Sequence, residues 1–149
     1  KELHFNNLDQ PVILDQFSWC PFNSQNTVWF KETFPLLYLP STCSFRMTDI
    51  FRSYIAQRIL WTIDACLSFG NATVYQDRNE HSLIKDFQDE ISGYLNDKNI
   101  IQILSDVKLK NGKENLKENL LCCYRSLVEN KILLEQELII LDAWLEDLQ

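Results

Sequence analysis

Two arginines and an aspartate stand close together between residues 39 and 52, in the stretch LPSTCSFRMTDIFR. Arg46 comes just before a predicted helix start, Asp49 falls in the first turn, and Arg52 follows one turn later. A helix start offers free backbone N–H groups and the positive end of the helix dipole, which favour phosphate or diphosphate. Arginine adds bidentate recognition of such anions. The segment therefore predicts an anion site with a carboxylate beside it.

Two interpretations of Asp49 are open at this point. A carboxylate held near an anion site can act as a general base, its pKa being set by the neighbouring arginines and the helix dipole. A carboxylate in the first turn also stabilises its own helix, by about 0.3–1 kcal/mol. The spacing alone favours the second interpretation.

A second polar cluster, YQDRNEH, occupies residues 75–81 between a predicted strand and a predicted helix. Loops in that position carry function in many α/β folds. Arg78, Asn79 and His81 have the chemistry to bind sugar hydroxyls or phosphate. The alternative is that Asn79 caps the next helix, with its neighbours decorating the first turn.

Short apolar runs predict the strands that would support these loops. They lie at 11–14, 27–30, 35–40 and 72–76, and they are rich in β-branched or aromatic residues or closed by proline. Strands mixed with helices predict an α/β domain. Residues 1–115 are expected to form this α/β part of one domain, with the helical segment 116–149 packed on it.

Apolar residues at three- and four-residue spacing predict the helices. The first begins with Thr48 as N-cap, ends near Gly70 and buries Phe51, Ile55 and Ile59. Two shorter helices are expected after it, from residue 79 to 93 and from 97 to 107. Three acidic residues of that region are expected on a solvated helical face: Asp86, Asp89 and Glu90.

The segment 116–148 is helical by composition and repeats leucine every seven residues from Leu120 to Leu148. Additional apolar residues widen the stripe beyond a coiled-coil seam, which is typical of a helix packed on its own domain. A helical protein partner bound through 120–148 is the alternative. A break near Asn130 and Lys131 would divide the segment into two helices.

Composition excludes several classes of function. The chain has 149 residues, three glycines and a net charge of −7, and it carries neither a Walker loop nor a dinucleotide fingerprint. Its excess of acids lies in the C-terminal half, which argues against a nucleic-acid surface. No apolar run reaches membrane-spanning length. With two histidines and no C-x-x-C pair, no metal ligand set is predicted. Because it begins with Lys1, the chain is expected to be an excised piece.

The block FRMTDIFRSYIAQRILW at 45–61, with the preceding LPSTCS, resembles the core of the STELLO family. These are glycosyltransferase-like proteins, best known from the plant Golgi in connection with cellulose synthesis, with relatives in nematodes and other animals. The segments QNT at 25–27, YQDRNEH at 75–81 and the end of the chain around Ala143 and Trp144 look like the nematode-type members.

This resemblance implies a nucleotide-sugar-dependent transferase with a Rossmann-like α/β domain of the type-A glycosyltransferase architecture. The chain would supply the C-terminal, acceptor-side part, and Asp49 would be the catalytic base. Other positions of the shared block would contact donor or acceptor, or hold the helix: Arg46, Arg52, Gln57 and Arg58. Asp49 and Arg58 point to opposite sides of an ideal helix, so they are not expected in one site.

The resemblance further implies a nucleotide-sugar donor, a glycan acceptor and the lumen of the Golgi or secretory pathway. Such transferases usually hold Mn²⁺ or Mg²⁺ on an Asp-x-Asp pair, and no such pair occurs in this sequence. A divalent metal is therefore expected elsewhere in the full-length protein and not in this chain. The competing hypothesis is a non-catalytic helical module that assembles a glycan-synthesis complex. A small hydrolase is disfavoured because no nucleophile motif is present.

Overall fold

A computed structural model describes residues 10–77 and 80–148, and within them the chain is mostly helical. The helices are α1 (Thr48–Leu60), α2 (Leu83–Asp106), α3 (Leu116–Glu129) and α4 (Gln136–Asp147). Short 3-10 helices lie at Lys31–Leu37, Phe45–Met47, Trp61–Ile63 and Lys113–Asn115. The strands β1 (Val12–Ile13) and β2 (Ser68–Phe69) complete the described part.

The sheet consists of β1 and β2, which pair antiparallel with Val12 opposite Phe69. The strands predicted at 27–30, 35–40 and 72–76 are wrong, and the described residues contain no parallel sheet of the Rossmann type. Pro35 lies inside the 3-10 helix that replaces the start of the strand predicted at 35–40. Proline lacks the N–H that a sheet ladder requires, so the apolar run buries Leu36 and Tyr38 from a helical turn instead.

Helix α1 lies at the centre of the molecule and contacts α2 and α3. It was predicted from its apolar spacing and is confirmed, but it ends at Leu60 and not near Gly70. Its residues are buried on nearly every side, as expected for a helix enclosed by others. Thr48 is not the N-cap. Its hydroxyl donates to the carbonyl of Phe45 at 3.0 Å, because a 3-10 turn runs directly into the helix.

Helix α2 runs without interruption through Gly93, so the two separate helices predicted here are wrong. Ser82 caps it by accepting a hydrogen bond from the Lys85 N–H at 3.4 Å. The glycine has a packing role, because a Cβ at this position would collide with the side chain of Met47. Met47 is itself buried, so the contact holds the turn before α1 against α2.

Replacing Gly93 by alanine is expected to lower the free energy of unfolding by about 1 kcal/mol, since overpacking outweighs alanine's better helix propensity. In a Met47→Ala background the collision disappears. The same substitution should then stabilise the protein, by up to about 1 kcal/mol. A double-mutant cycle in urea measures this change of sign. Equal effects in both backgrounds would contradict the packing role.

The C-terminal segment does break after Asn130. Helix α3 ends at Glu129, Lys131 takes a left-handed conformation with φ of 60°, and α4 begins at Gln136. Leu120, Leu127 and Leu141 are buried in the chain's own core. Most of the leucine stripe therefore packs within the chain, although Leu134, Ile139 and Ile140 are exposed. A helical partner through 120–148 finds no support.

The first half of α2 also exposes apolar side chains. Leu83 and Ile84 are about three-quarters exposed, at 74% and 75%. Phe87 and Leu95 are also exposed on this helix. No helix among residues 10–77 and 80–148 is long and apolar enough to cross a membrane.

Candidate functional site

A cavity of about 1260 Å³ opens beside the start of α1. Three segments form its walls: the loop at 19–25, the turn and first residues of α1 at 45–50, and one face of α2. Asp49 and Arg46, the residues that the sequence singled out first, both line it. The cavity is large enough for a ligand of several sugar rings, because small-molecule sites typically enclose about 300–1,000 Å³.

The Asp49 carboxylate is held in place from the opposite wall. Its Oδ2 accepts a hydrogen bond from the backbone N–H of Ser24 at 2.9 Å. The side chain is half-buried, and its charge acts on the nearby Arg52 guanidinium. A carboxylate fixed by one backbone donor keeps further lone pairs for a ligand hydroxyl.

Arg46 is engaged by acids of α2. Its guanidinium forms an ion pair with Asp86, and its Nη1 lies 3.9 Å from Glu90 Oε1. The other oxygen of Asp86 contacts His81 Nδ1. His81 thus lines the cavity next to the Arg46–Asp86 ion pair.

The acids of α2 were expected on a solvated face, and that expectation is wrong. Asp86, Asp89 and Glu90 line the cavity together with Asp97, which sequence reasoning missed. The positions 86, 89 or 90, 93 and 97 follow helical spacing and share one face, with Gly93 admitting the turn before α1. In the sequence, the signal for this acidic cavity wall was a set of acids that flank a glycine on one face of a helix.

Aromatic side chains supply the apolar part of the wall. Trp19 and Tyr54 pack together with ring centroids 6.0 Å apart, and both line the cavity. Tyr94 lies at the rim, 67% exposed, and its hydroxyl donates to Glu90 Oε2 at 3.2 Å. The Tyr54 hydroxyl donates to Asp97, and burial together with that carboxylate raises the pKa of Tyr54 well above its usual value.

Arg52 is placed in the interior and does not line the cavity. Its guanidinium lies 5.1 Å from the centre of the Trp29 ring, and its Nη2 donates to Ser24 Oγ at 3.1 Å. Burial lowers the pKa of Arg52, and the charge of Asp49 partly offsets this. Arg52 therefore fixes the 24–29 loop, and the Ser24 N–H of this loop in turn orients Asp49.

Gln57 and Arg58 also lie away from the cavity. The Gln57 amide exchanges hydrogen bonds with the backbone of Cys20, donating to its carbonyl at 2.8 Å and accepting from its N–H at 3.0 Å. Arg58 donates to the carbonyls of Leu104 and Val107, each at 2.8 Å, and so caps the end of α2. Both side chains have structural partners, and Arg78 and Asn79 lie outside the described residues.

Glu137 of α4 holds the loop that leads into the site. This carboxylate is fully buried and accepts hydrogen bonds from the N–H of Thr42 at 2.8 Å and the N–H of Ser41 at 3.0 Å. The Tyr38 hydroxyl also donates to it. Among the described residues it has no ion-pair partner, so backbone donors compensate its charge.

The same loop carries Cys43, whose thiol the site environment keeps protonated. Burial and the charge of Glu137 raise the pKa of Cys43 to about 12. At pH 8 we expect iodoacetamide to alkylate the exposed Cys66 at least about tenfold faster than Cys43, because the thiolate is the nucleophile. Peptide mass spectrometry over time measures both rates. Equal rates in the folded protein would contradict this environment, whereas in urea the rates should converge.

The cavity acids do not form a metal site. Within the described part of the chain, no three or more potential ligands are grouped so that they could hold a metal ion. Asp86 is already paired with Arg46 and His81, and Asp97 already accepts a hydrogen bond from Tyr54. This donor set therefore does not fit a divalent cation.

Comparison with known proteins assigns the chain to a family. The family described as STELLO glycosyltransferases matches residues 46–149. Two relatives from Arabidopsis thaliana, "Probable glycosyltransferase STELLO2" and "Probable glycosyltransferase STELLO1", are each 28% identical to the chain over 148 residues. The alignments cover 99% of this chain and 19% and 18% of the two relatives, so it spans about a fifth of their length. The chain belongs to the STELLO glycosyltransferase family.

Proposed function

We propose that this chain forms the acceptor side of a glycosyltransferase that uses a nucleotide-sugar donor. The observation that carries the proposal is the position of Asp49, a half-buried carboxylate on the wall of the large cavity, oriented by the Ser24 N–H. Family membership supports transferase chemistry. The Rossmann-like donor part of a type-A domain, with any Mn²⁺ or Mg²⁺ on the diphosphate, would lie outside this chain.

In the proposed reaction, the Asp49 carboxylate accepts the proton of an acceptor hydroxyl. The hydroxyl oxygen forms a bond to the anomeric carbon of the donor sugar. The bond between that carbon and the diphosphate oxygen breaks, and its electron pair leaves with the nucleoside diphosphate. General-base assistance of this kind contributes about 10²–10⁴ in rate.

Turnover of nucleotide sugars by the full-length protein tests the proposal. A panel of UDP- and GDP-sugars is incubated with the protein, and release of the nucleoside diphosphate is followed with and without oligosaccharide acceptors. Acceptor-dependent release with at least one donor supports the proposal. Release from none of the donors, by protein that is folded by circular dichroism, would contradict it.

A location in the Golgi or secretory lumen belongs to the same proposal. The triplet Asn71-Ala72-Thr73 is an acceptor sequence for N-glycosylation, and it lies on an exposed segment. Protein isolated from its natural cells is expected to lose mass on treatment with an N-glycosidase, and the Asn71→Gln variant should not. A fully unmodified Asn71 would count against a lumenal location.

A non-catalytic assembly module is the second candidate function. The exposed apolar face on the first half of α2 favours it, because contiguous apolar surface commonly marks protein contacts. Such a module would keep its cellular function in an Asp49→Asn variant. It would lose that function when Leu83 and Ile84 are both replaced by serine.

A further inference from the structure

The charge of the cavity wall determines which acceptor it can take. Five carboxylates line the wall beside the cations Arg46 and Lys85, and Arg46 is already paired with Asp86 and Glu90. Asp49, Asp89 and Asp97 add further negative charge. A diphosphate or a uronic-acid chain would bring more anions into this field, and like charges that are close together disfavour binding.

The aromatic residues of the same wall indicate what does bind. Trp19 forms an apolar surface on one side, with the buried ring of Tyr54 packed against it, and Tyr94 stands at the rim with its ring exposed. Flat apolar rings beside hydroxyl-accepting carboxylates match a ligand that has an apolar face and a ring of O–H donors. An uncharged sugar ring has both.

We propose that this cavity is a subsite for an uncharged oligosaccharide acceptor and that its acidic wall excludes anionic glycans and nucleotide diphosphates. This inference rests on the proposed transferase function and specifies the acceptor class. Tyr94 provides a stacking platform. Asp89 accepts sugar hydroxyls and contributes to the exclusion of anions.

Direct binding tests the inference independently of turnover. Affinities of the full chain for maltotetraose, cellotetraose, tetragalacturonate and UDP are measured by NMR titration. At least one neutral tetrasaccharide is expected to bind about tenfold or more tightly than tetragalacturonate or UDP. Raising the salt concentration should reduce this discrimination, because it screens the charges of the wall.

Variants identify the residues responsible. Tyr94→Ala is expected to weaken neutral-saccharide binding about three- to tenfold, the effect of losing one aromatic contact. The matched control is Tyr75→Ala, since Tyr75 is exposed and does not line the cavity. Asp89→Asn should reduce the ratio between the affinities for a neutral tetrasaccharide and for tetragalacturonate, while the protein stays folded.

The inference is overturned if no neutral tetrasaccharide binds, if tetragalacturonate or UDP binds equally well, or if Tyr94→Ala has no more effect than Tyr75→Ala. These results are distinguishable from failure of the transferase proposal. Saccharide binding without any turnover would refute the transferase and leave the subsite. Turnover combined with equal binding of neutral and anionic saccharides would refute the subsite and leave the transferase.

Discussion

Replacing Asp49 by asparagine should lower acceptor-dependent turnover of the full-length protein by about 10²–10⁴-fold, because the side chain can no longer take a proton from the acceptor hydroxyl. The asparagine oxygen can still accept the hydrogen bond from the Ser24 N–H, so the wall of the cavity should keep its shape. KM for the acceptor should change little. Steady-state kinetics with saturating donor measures both constants.

Asp142→Asn is the matched control for this experiment. Asp142 lies exposed on α4, away from the cavity, and removing its charge changes the net charge of the chain equally. Its turnover should equal that of the wild type. Equal rates for Asp49→Asn and the wild type would remove Asp49 from catalysis, and Asp49 would then be a residue that stabilises the start of α1.

Replacing Glu137 by glutamine should lower the free energy of unfolding by about 2–4 kcal/mol, because buried hydrogen bonds to a charged acceptor are lost. The carboxylate accepts from Ser41, Thr42 and Tyr38 in the interior. A glutamine amide group offers only one acceptor oxygen, and its NH2 group would face the N–H and O–H donors of Ser41, Thr42 and Tyr38. Urea unfolding followed by tryptophan fluorescence measures the change.

Glu135→Gln serves as the control, since Glu135 is exposed immediately before α4, and its substitution should cost less than about 0.5 kcal/mol. The loss of unfolding free energy for Tyr38→Phe should lie between those for Glu135→Gln and Glu137→Gln. This variant removes one hydrogen-bond donor and leaves the Glu137 carboxylate its backbone partners. A Glu137→Gln variant as stable as the wild type would show that the loop at 41–42 does not depend on this carboxylate.

The helices were more predictable from the sequence than the sheet. Helix α1 and the break at Asn130 follow from local signals, namely apolar spacing and polar residues between two helical stretches. The run at 35–40 looked like a buried strand because it is short, apolar and closed by proline. Its burial is correct, but a strand requires a partner strand, and partners are decided by distant parts of the chain.

The site shows the same division. Asp49 and Arg46 could be found because they are close in sequence at a helix start. The acids of α2 were missed because their position in the cavity depends on how that helix packs beside α1. The one sequence signal for this close approach was a glycine flanked by acids on the same helical face. Arg52, Gln57 and Arg58 share the block that resembles the family, yet the structure gives them interior partners. The block that resembles the family therefore contains residues that line the cavity together with residues that pack in the interior.

The bond between Glu137 and the loop at 41–42 has a consequence for biosynthesis. Thr42 and Ser41 are separated from Glu137 by 95 and 96 residues, so this contact can form only once α4 has been synthesised. Closing so long a loop is slow compared with forming a helix. The segment that leads to Asp49 therefore gains these hydrogen bonds only after α4 has been synthesised, and a chain truncated before α4 would lack them.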